Sequence, residues 1–84
     1  MWRAEIKVLL KKSVLDPQGR AVENALTSLG YTNVNRVRIG KYLEVTIATP
    51  DRAAAEAQVR EMCTRLLTNP VIEDYTFTLV EVEA

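Results

Sequence analysis

From Trp2 to Leu10 the chain alternates. Trp2, Ala4, Ile6, Val8 and Leu10 share one parity and Arg3, Glu5 and Lys7 the other, with Leu9 the exception. A period of two over this length predicts a β-strand covered on one side. After a connection over residues 11–15, Asp16-Pro17 predicts a helix start. An aspartate carboxylate accepts free first-turn amides, and proline suits the first helical position. Ala21, Val22, Ala25, Leu26 and Leu29 build one apolar stripe, and Gly30 suits the left-handed residue that closes a helix over 17–29.

Residues 31–35 are a turn-rich link. Val37 and Ile39 then oppose Arg36 and Arg38, and beyond Gly40-Lys41 the set Leu43, Val45 and Ile47 opposes Tyr42, Glu44 and Thr46. These read as two strands meeting near Gly40. A two-residue hairpin would place Leu43 on the wrong face, so all five aliphatics point inward only with an odd-length loop or a bulge. Thr49-Pro50 predicts a second helix with Thr49 as its cap. Its buried stripe is Ala55, Val59, Met62, Cys63, Leu66 and Leu67, its solvent face carries the pairs Glu56/Arg60 and Glu61/Arg65, and Asn69-Pro70 ends it. A last strand spans about 72–82. Tyr75, Phe77 and Leu79 share a face, and then the apolar phase flips to Val80 and Val82.

The order strand, helix, strand, strand, helix, strand predicts one α+β domain over residues 1–84. Its expected form is ferredoxin-like βαββαβ, a four-stranded antiparallel sheet with two helices on one face. The expected core is Ile6, Val8, Leu26, Leu29, Val45, Ile47, Met62, Leu66 and Phe77.

Composition narrows the function. The 84 residues carry 11 Lys and Arg against 11 Asp and Glu, no histidine and one cysteine. Without histidine there is no imidazole acid, base or zinc ligand, and zero net charge removes the footprint of a dedicated nucleic-acid binder. Cys63, inside the second helix's stripe, reads as a buried structural cysteine. No stretch approaches eighteen apolar residues, and the charged N-terminal segment lacks a signal-peptide core, so the expectation is a cytoplasmic protein off the membrane. A chain this short buries only about 60–65% of its unfolded surface, which favours an oligomer.

Two places depart from what folding alone would choose. Gly19 weakens a first helical turn, and Gly40-Lys41 makes an irregular strand junction with exposed charge. Asp16, Gln18, Gly19, Arg38, Gly40, Lys41 and Tyr42 are therefore candidates for contact with a partner. The outward face of the first strand (Arg3, Glu5, Lys7) and the outward and flipped positions of the last (Thr76, Thr78, Val80, Val82) are candidates for self-association. The residues present also leave open a regulatory module binding a small metabolite, or an RNA-binding domain using Arg3, Lys7, Arg36 and Arg38. No catalytic constellation is legible.

Three stretches carry a resemblance: Lys12-Ser-Val-Leu-Asp-Pro-Gln-Gly-Arg-Ala-Val22, Val37-Arg-Ile-Gly-Lys-Tyr-Leu-Glu-Val45 and Asn69-Pro-Val-Ile-Glu-Asp-Tyr75. Together they resemble the PurS family, the small subunits of phosphoribosylformylglycinamidine (FGAM) synthase. Pro70 replaces a more usual small or polar residue, which touches only the helix exit. The resemblance implies a non-catalytic bridging subunit in de novo purine biosynthesis. The enzyme of that family converts formylglycinamide ribonucleotide, ATP and glutamine into FGAM, ADP, phosphate and glutamate. The synthetase PurL holds the nucleotide chemistry, the glutaminase PurQ releases ammonia, and PurS assembles the two and supports ammonia transfer. It further implies that this chain binds no cofactor itself, ATP, Mg and glutamine being used by the partners. The implied partners are PurL, PurQ and itself, as a homodimer or a tetramer, with no nucleic acid and no membrane.

Overall fold

The computed structural model describes residues 1–83; the expected domain over 1–84 runs one residue beyond them. The alternating N-terminal segment forms β1 (Trp2–Leu10), the central strand of a three-stranded antiparallel sheet. β2 (Gly40–Ile47) lies on one side of it and β3 (Glu73–Glu81) on the other. Ile6 stands opposite both Leu43 and Phe77. The register therefore gathers Ala4, Ile6, Val8, Leu43, Val45, Ile47, Tyr75, Phe77 and Leu79 on one face, as the period of two requires.

Helix α2 (Arg52–Met62) crosses that face and buries Ala55 and Val59, with Cys63 just beyond its end. Ala4, Ile6, Val8, Ile47 and Leu79 complete the core, and Val45, Met62 and Phe77 pack at its margin as expected core residues. Arg60 lies over the Phe77 ring at 5.4 Å and Arg52 over the Trp2 ring at 5.5 Å, so aliphatic stems shield the flanks while the charges stay wet. Both expected ion pairs of the solvent face form: Glu56–Arg60 at 2.7 Å and Glu61–Arg65 at 2.8 Å.

The cap of α2 is Asp51, not Thr49. Its carboxylate accepts the Ala53 amide, while the Pro50 carbonyl accepts the Trp2 indole N–H instead of serving a first helical turn. At the other end Cys63–Leu67 widens into a π-helical turn, closed by the Thr68 amide and hydroxyl, both donating to the Cys63 carbonyl. Widening by one residue shifts the phase of the helix beyond it. Leu66, expected in the core, is 81% exposed for that reason.

The largest departure concerns the other half of the expected sandwich. Helix α1 (Pro17–Ser28) has the expected Asp16 cap, Pro17 start and left-handed Gly30, but its only buried residue is Gly19. Leu29 is 74% exposed and Leu26 only half-buried, so neither enters the core. Residues 36–39 form no strand, and Gly40 opens β2 opposite Leu9 instead of turning a hairpin. The sheet thus has three strands, not the expected four, and α2 alone covers its face. The physical reason is that nothing at Gly40 reverses the chain: Gly30 is the only glycine with positive φ among the described residues. Helix α1 and residues 34–39 consequently form an arm beside the body. The molecule measures 50 × 28 × 14 Å with a radius of gyration of 16.5 Å, whereas a compact chain of this length has about 12 Å.

Candidate functional site

The two segments of the arm are tied to each other through one carboxylate. Asp16 Oδ1 accepts the Gly19 amide at 2.9 Å and Oδ2 accepts the Ile39 amide at 3.1 Å, tying the helix start to the residue before β2. These two amides, aided by Arg38 and Arg36, hold the Asp16 carboxyl below its ordinary range. Gly19 is required here: a side chain would collide with the Val37 carbonyl oxygen and the Asp16 carboxylate. Gly40 has a similar cause, since a side chain there would strike the Val8 carbonyl across the ladder. Both close contacts are made within this chain.

Of the candidate partner residues, Asp16, Gln18, Gly40 and Lys41 line one concavity of about 380 Å³, where the start of α1 meets the start of β2. Sequence separation of more than twenty residues is thereby closed by the Asp16–Ile39 bond. Arg38 is not with them; its guanidinium donates to the Leu10 carbonyl at 2.6 Å and faces a neighbouring cleft. Tyr42 also points elsewhere, onto the uncovered sheet face, where its hydroxyl donates to Glu44 at 3.1 Å. Partial desolvation and that carboxylate both push the phenol's pKa up.

The self-association candidates come together better. Arg3 pairs across the sheet with Val80, Glu5 with Thr78 and Lys7 with Thr76, giving two adjacent columns on the face opposite α2. Arg3 lies 3.1 Å from Glu5 and 3.8 Å from Glu44, so this face carries its own ion network. Val82 sits beyond the strand, its amide bonded to the Met1 carbonyl. Sequence reasoning misses one surface. The apolar stripe of α1, Ala21, Val22, Ala25, Leu26 and Leu29, reads as core from its spacing and stands largely open in the structure, with Tyr31 exposed just beyond it.

Cys63 is buried, and burial pushes its thiol up, away from the thiolate a nucleophile needs. Among the described residues no three Cys, Asp or Glu side chains converge as a metal site, and no helix is long and apolar enough to cross a membrane. The arrangement suits recognition: three uncovered surfaces around one small core.

Comparison with known proteins agrees with the architecture. The family model described as PurS, phosphoribosylformylglycinamidine (FGAM) synthase, matches residues 3–81. The FGAM synthase subunit PurS of Bacillus subtilis is 52% identical over 84 residues, covering 100% of this chain and 99% of that protein. Its crystal structure superposes with a TM-score of 0.86 over 96% of this chain and all of its own. PurS of Methanocaldococcus jannaschii, described as one of the subunits of formylglycinamide ribonucleotide amidotransferase in the purine biosynthetic pathway, is 37% identical. It superposes at 0.87 over 99% of this chain and 100% of its own. A chain in the structure of PurLQS from Thermotoga maritima, 28% identical, superposes at 0.86 over 94% and 96% of the two chains.

Proposed function

The chain belongs to the PurS family of FGAM synthase subunits, and on that premise we propose that it is the non-catalytic bridging subunit of the glutamine- and ATP-dependent synthase, a carbon–nitrogen ligase of purine biosynthesis. It assembles PurL with PurQ and supports ammonia transfer between them, in the cytoplasm. The observation that carries this reading is the near-complete coverage of PurS subunits, including the one in the PurLQS structure, at the same open architecture. The buried, weakly acidic Cys63 thiol favours a subunit whose nitrogen and nucleotide chemistry is done elsewhere. ATP, Mg and glutamine then belong to the partners, and no cofactor to this chain.

The open arm favours self-association as well. In a homodimer, residues 34–39 of one copy would lie along the free edge of β2 in the other. The apolar stripe of α1 would cover the sheet beside α2. Each copy would thereby complete the four-stranded, two-helix sandwich that one domain over 1–84 does not close by itself. Parity permits it, because Val37, Ile39, Leu43, Val45 and Ile47 all fall on the same face of an uninterrupted strand. Pairing of two such dimers through the Arg3–Lys7 and Thr76–Val80 face would give a tetramer.

Reconstitution tests the reading. The three proteins together should give glutamine-dependent FGAM formation that falls when this chain is omitted, and this chain alone should turn over nothing. Unchanged activity without it, or turnover by it, refutes the proposal. Sedimentation equilibrium at tens of micromolar gives a dimer or larger species; a monomer there refutes the second part.

A further inference from the structure

We propose that the cleft between the 11–15 loop, the first turns of α1 and residues 35–38 docks an acidic segment, led by an apolar side chain, from another subunit of the synthase. The proposal rests on the bridging role above and specifies one surface that performs it. The cleft, of about 480 Å³, gathers Lys11, Lys12, Arg20, Arg36 and Arg38 against only two carboxylates, Asp16 and Glu23. In a chain whose 11 cations and 11 carboxylates cancel, five against two is a strong local excess.

The partners of these groups sharpen the point. Lys11 is paired with Asp74 at 2.8 Å, and Arg38 is held by the Leu10 carbonyl. Both Asp16 oxygens are occupied by backbone amides. Lys12, Arg20 and Arg36 are left with no carboxylate within 4.0 Å among the described residues. Three unpaired cations converge on one concavity from three separate segments, and Arg guanidinium forks suit carboxylates in bidentate geometry.

The occupant's class is set by the other residues lining the cleft. Leu15 stands 69% exposed at its rim and Val14 forms part of the wall. A free phosphate would leave that apolar surface uncovered, whereas a peptide can seat a side chain on Leu15 and set carboxylates against the arginines. A nucleic acid is disfavoured because no aromatic residue is among those lining the cleft, so bases have nothing to stack on. Charge complementarity of this kind acts chiefly on encounter rate and specificity.

The test uses the reconstituted complex. Arg20→Glu with Arg36→Glu should slow association with the partner subunits by about one to two orders of magnitude at low salt. The wild-type rate should fall toward the variant's between about 0.01 and 0.1 M salt, as the Debye length shrinks from about 30 to 10 Å. The milder pair Arg20→Gln with Arg36→Gln should give an intermediate loss, and Leu15→Ser a faster dissociation with little change in salt dependence. The variants' own unfolding midpoint and sedimentation should match wild type; if reversal disturbs them, the glutamine pair decides. A photo-cross-linking side chain at position 15 should capture an Asp- or Glu-rich peptide of another subunit. Unaltered assembly of folded variants overturns the cleft proposal while leaving the family role intact. Failure of the wild-type chain to assemble overturns the bridging role itself. Capture of a second copy of this chain, binding of single-stranded RNA lost in the reversal variant, or stabilisation of the free chain by pyrophosphate with assembly unaffected would each overturn it too.

Discussion

The body of the molecule and its arm are built from the same local signals and end in opposite states. In the body, an alternating strand and an amphipathic helix meet, and Ile6, Val8, Val59 and Cys63 lose nearly all contact with water. In the arm, an equally well-capped amphipathic helix buries none of its apolar side chains fully, and Leu29 and Tyr31 stay in solvent. The difference lies in the connections. β1 reaches β2 and β3 through ladders along its whole length, whereas the arm meets β1 through the Arg38–Leu10 bond and its own two segments hold each other through a carboxylate and a glycine contact. Amphipathicity therefore specifies that a face must be covered, and the chain's path decides whether the cover comes from within.

The sharpest way to separate the two regions is to remove one side chain from the body. Ile6 is fully buried at the centre of the three-stranded ladder. Ile6→Ala should cost about 2–5 kcal/mol, the range for an aliphatic cavity in a core. For a small domain with few kcal/mol to spare this approaches loss of the fold. Urea unfolding followed by far-ultraviolet circular dichroism reads it directly. A loss below about 1 kcal/mol would mean that the body is not the packed half.

The tie between the two segments of the arm comes next. Replacing a helical glycine with alanine ordinarily gains up to about 1 kcal/mol. At Gly19 the new methyl would meet the Val37 carbonyl, which is backbone and cannot swing away. Gly19→Ala should therefore destabilise by about 1–3 kcal/mol, the range for overpacking, and increase amide exchange in residues 17–28 and 36–39 more than in β1. A stabilised variant would show that α1 does not rest against residue 37 in solution.

Acid should loosen the same tie. Asp16 has its folded pKa depressed below the unfolded value by the Gly19 and Ile39 amides. Its stabilising contribution is therefore fully present above the unfolded aspartate pKa of about 3.9 and disappears as pH falls through the lower folded value. Asp16→Asn should remove that pH dependence, with wild type and variant converging in strong acid. Exchange of the Gly19 and Ile39 amides, followed from neutral pH downward, checks it. Parallel behaviour of the two proteins across that window would exclude the carboxylate as the tie.

The legibility of the sequence divides along the same line. β1, the Asp16 cap, the second helix between its misread cap and its π-helical turn, and the face of β3 are legible because each rests on local signals. The expected hairpin at Gly40 does not exist, and the parity conflict it creates is the signal. Val37, Ile39, Leu43, Val45 and Ile47 are all odd-numbered, the pattern of one uninterrupted extended run, and a bulge is needed only to rescue a turn the chain does not make. Gly19 and Gly40 stand out as anomalies of propensity, but only the backbone positions of Val37 and Val8 reveal that the contacts are internal. Lys12, Arg20 and Arg36 lie in three segments, so no spacing rule could assemble the basic cleft.

The smallest effect should come from a residue the stripe pattern assigns to the core. Leu29 closes α1, and a closed four-stranded sandwich would bury it, so that its replacement by a polar residue would cost several kcal/mol, as in other cores (about 2–5). In the open chain it is 74% exposed, and Leu29→Ser should change the stability of the dissociated chain by no more than about 0.5 kcal/mol. The two architectures thus differ by roughly an order of magnitude in the effect of one substitution. Concentration supplies the second axis. If the α1 stripe covers a second copy, Leu29→Ser should raise the dimer dissociation constant while leaving the unfolding of dilute monomer unchanged. Sedimentation and chemical unfolding over a dilution series separate these. A large loss at every dilution would mean that the arm folds back onto its own sheet. No loss at any concentration would leave the stripe without a partner in the homodimer.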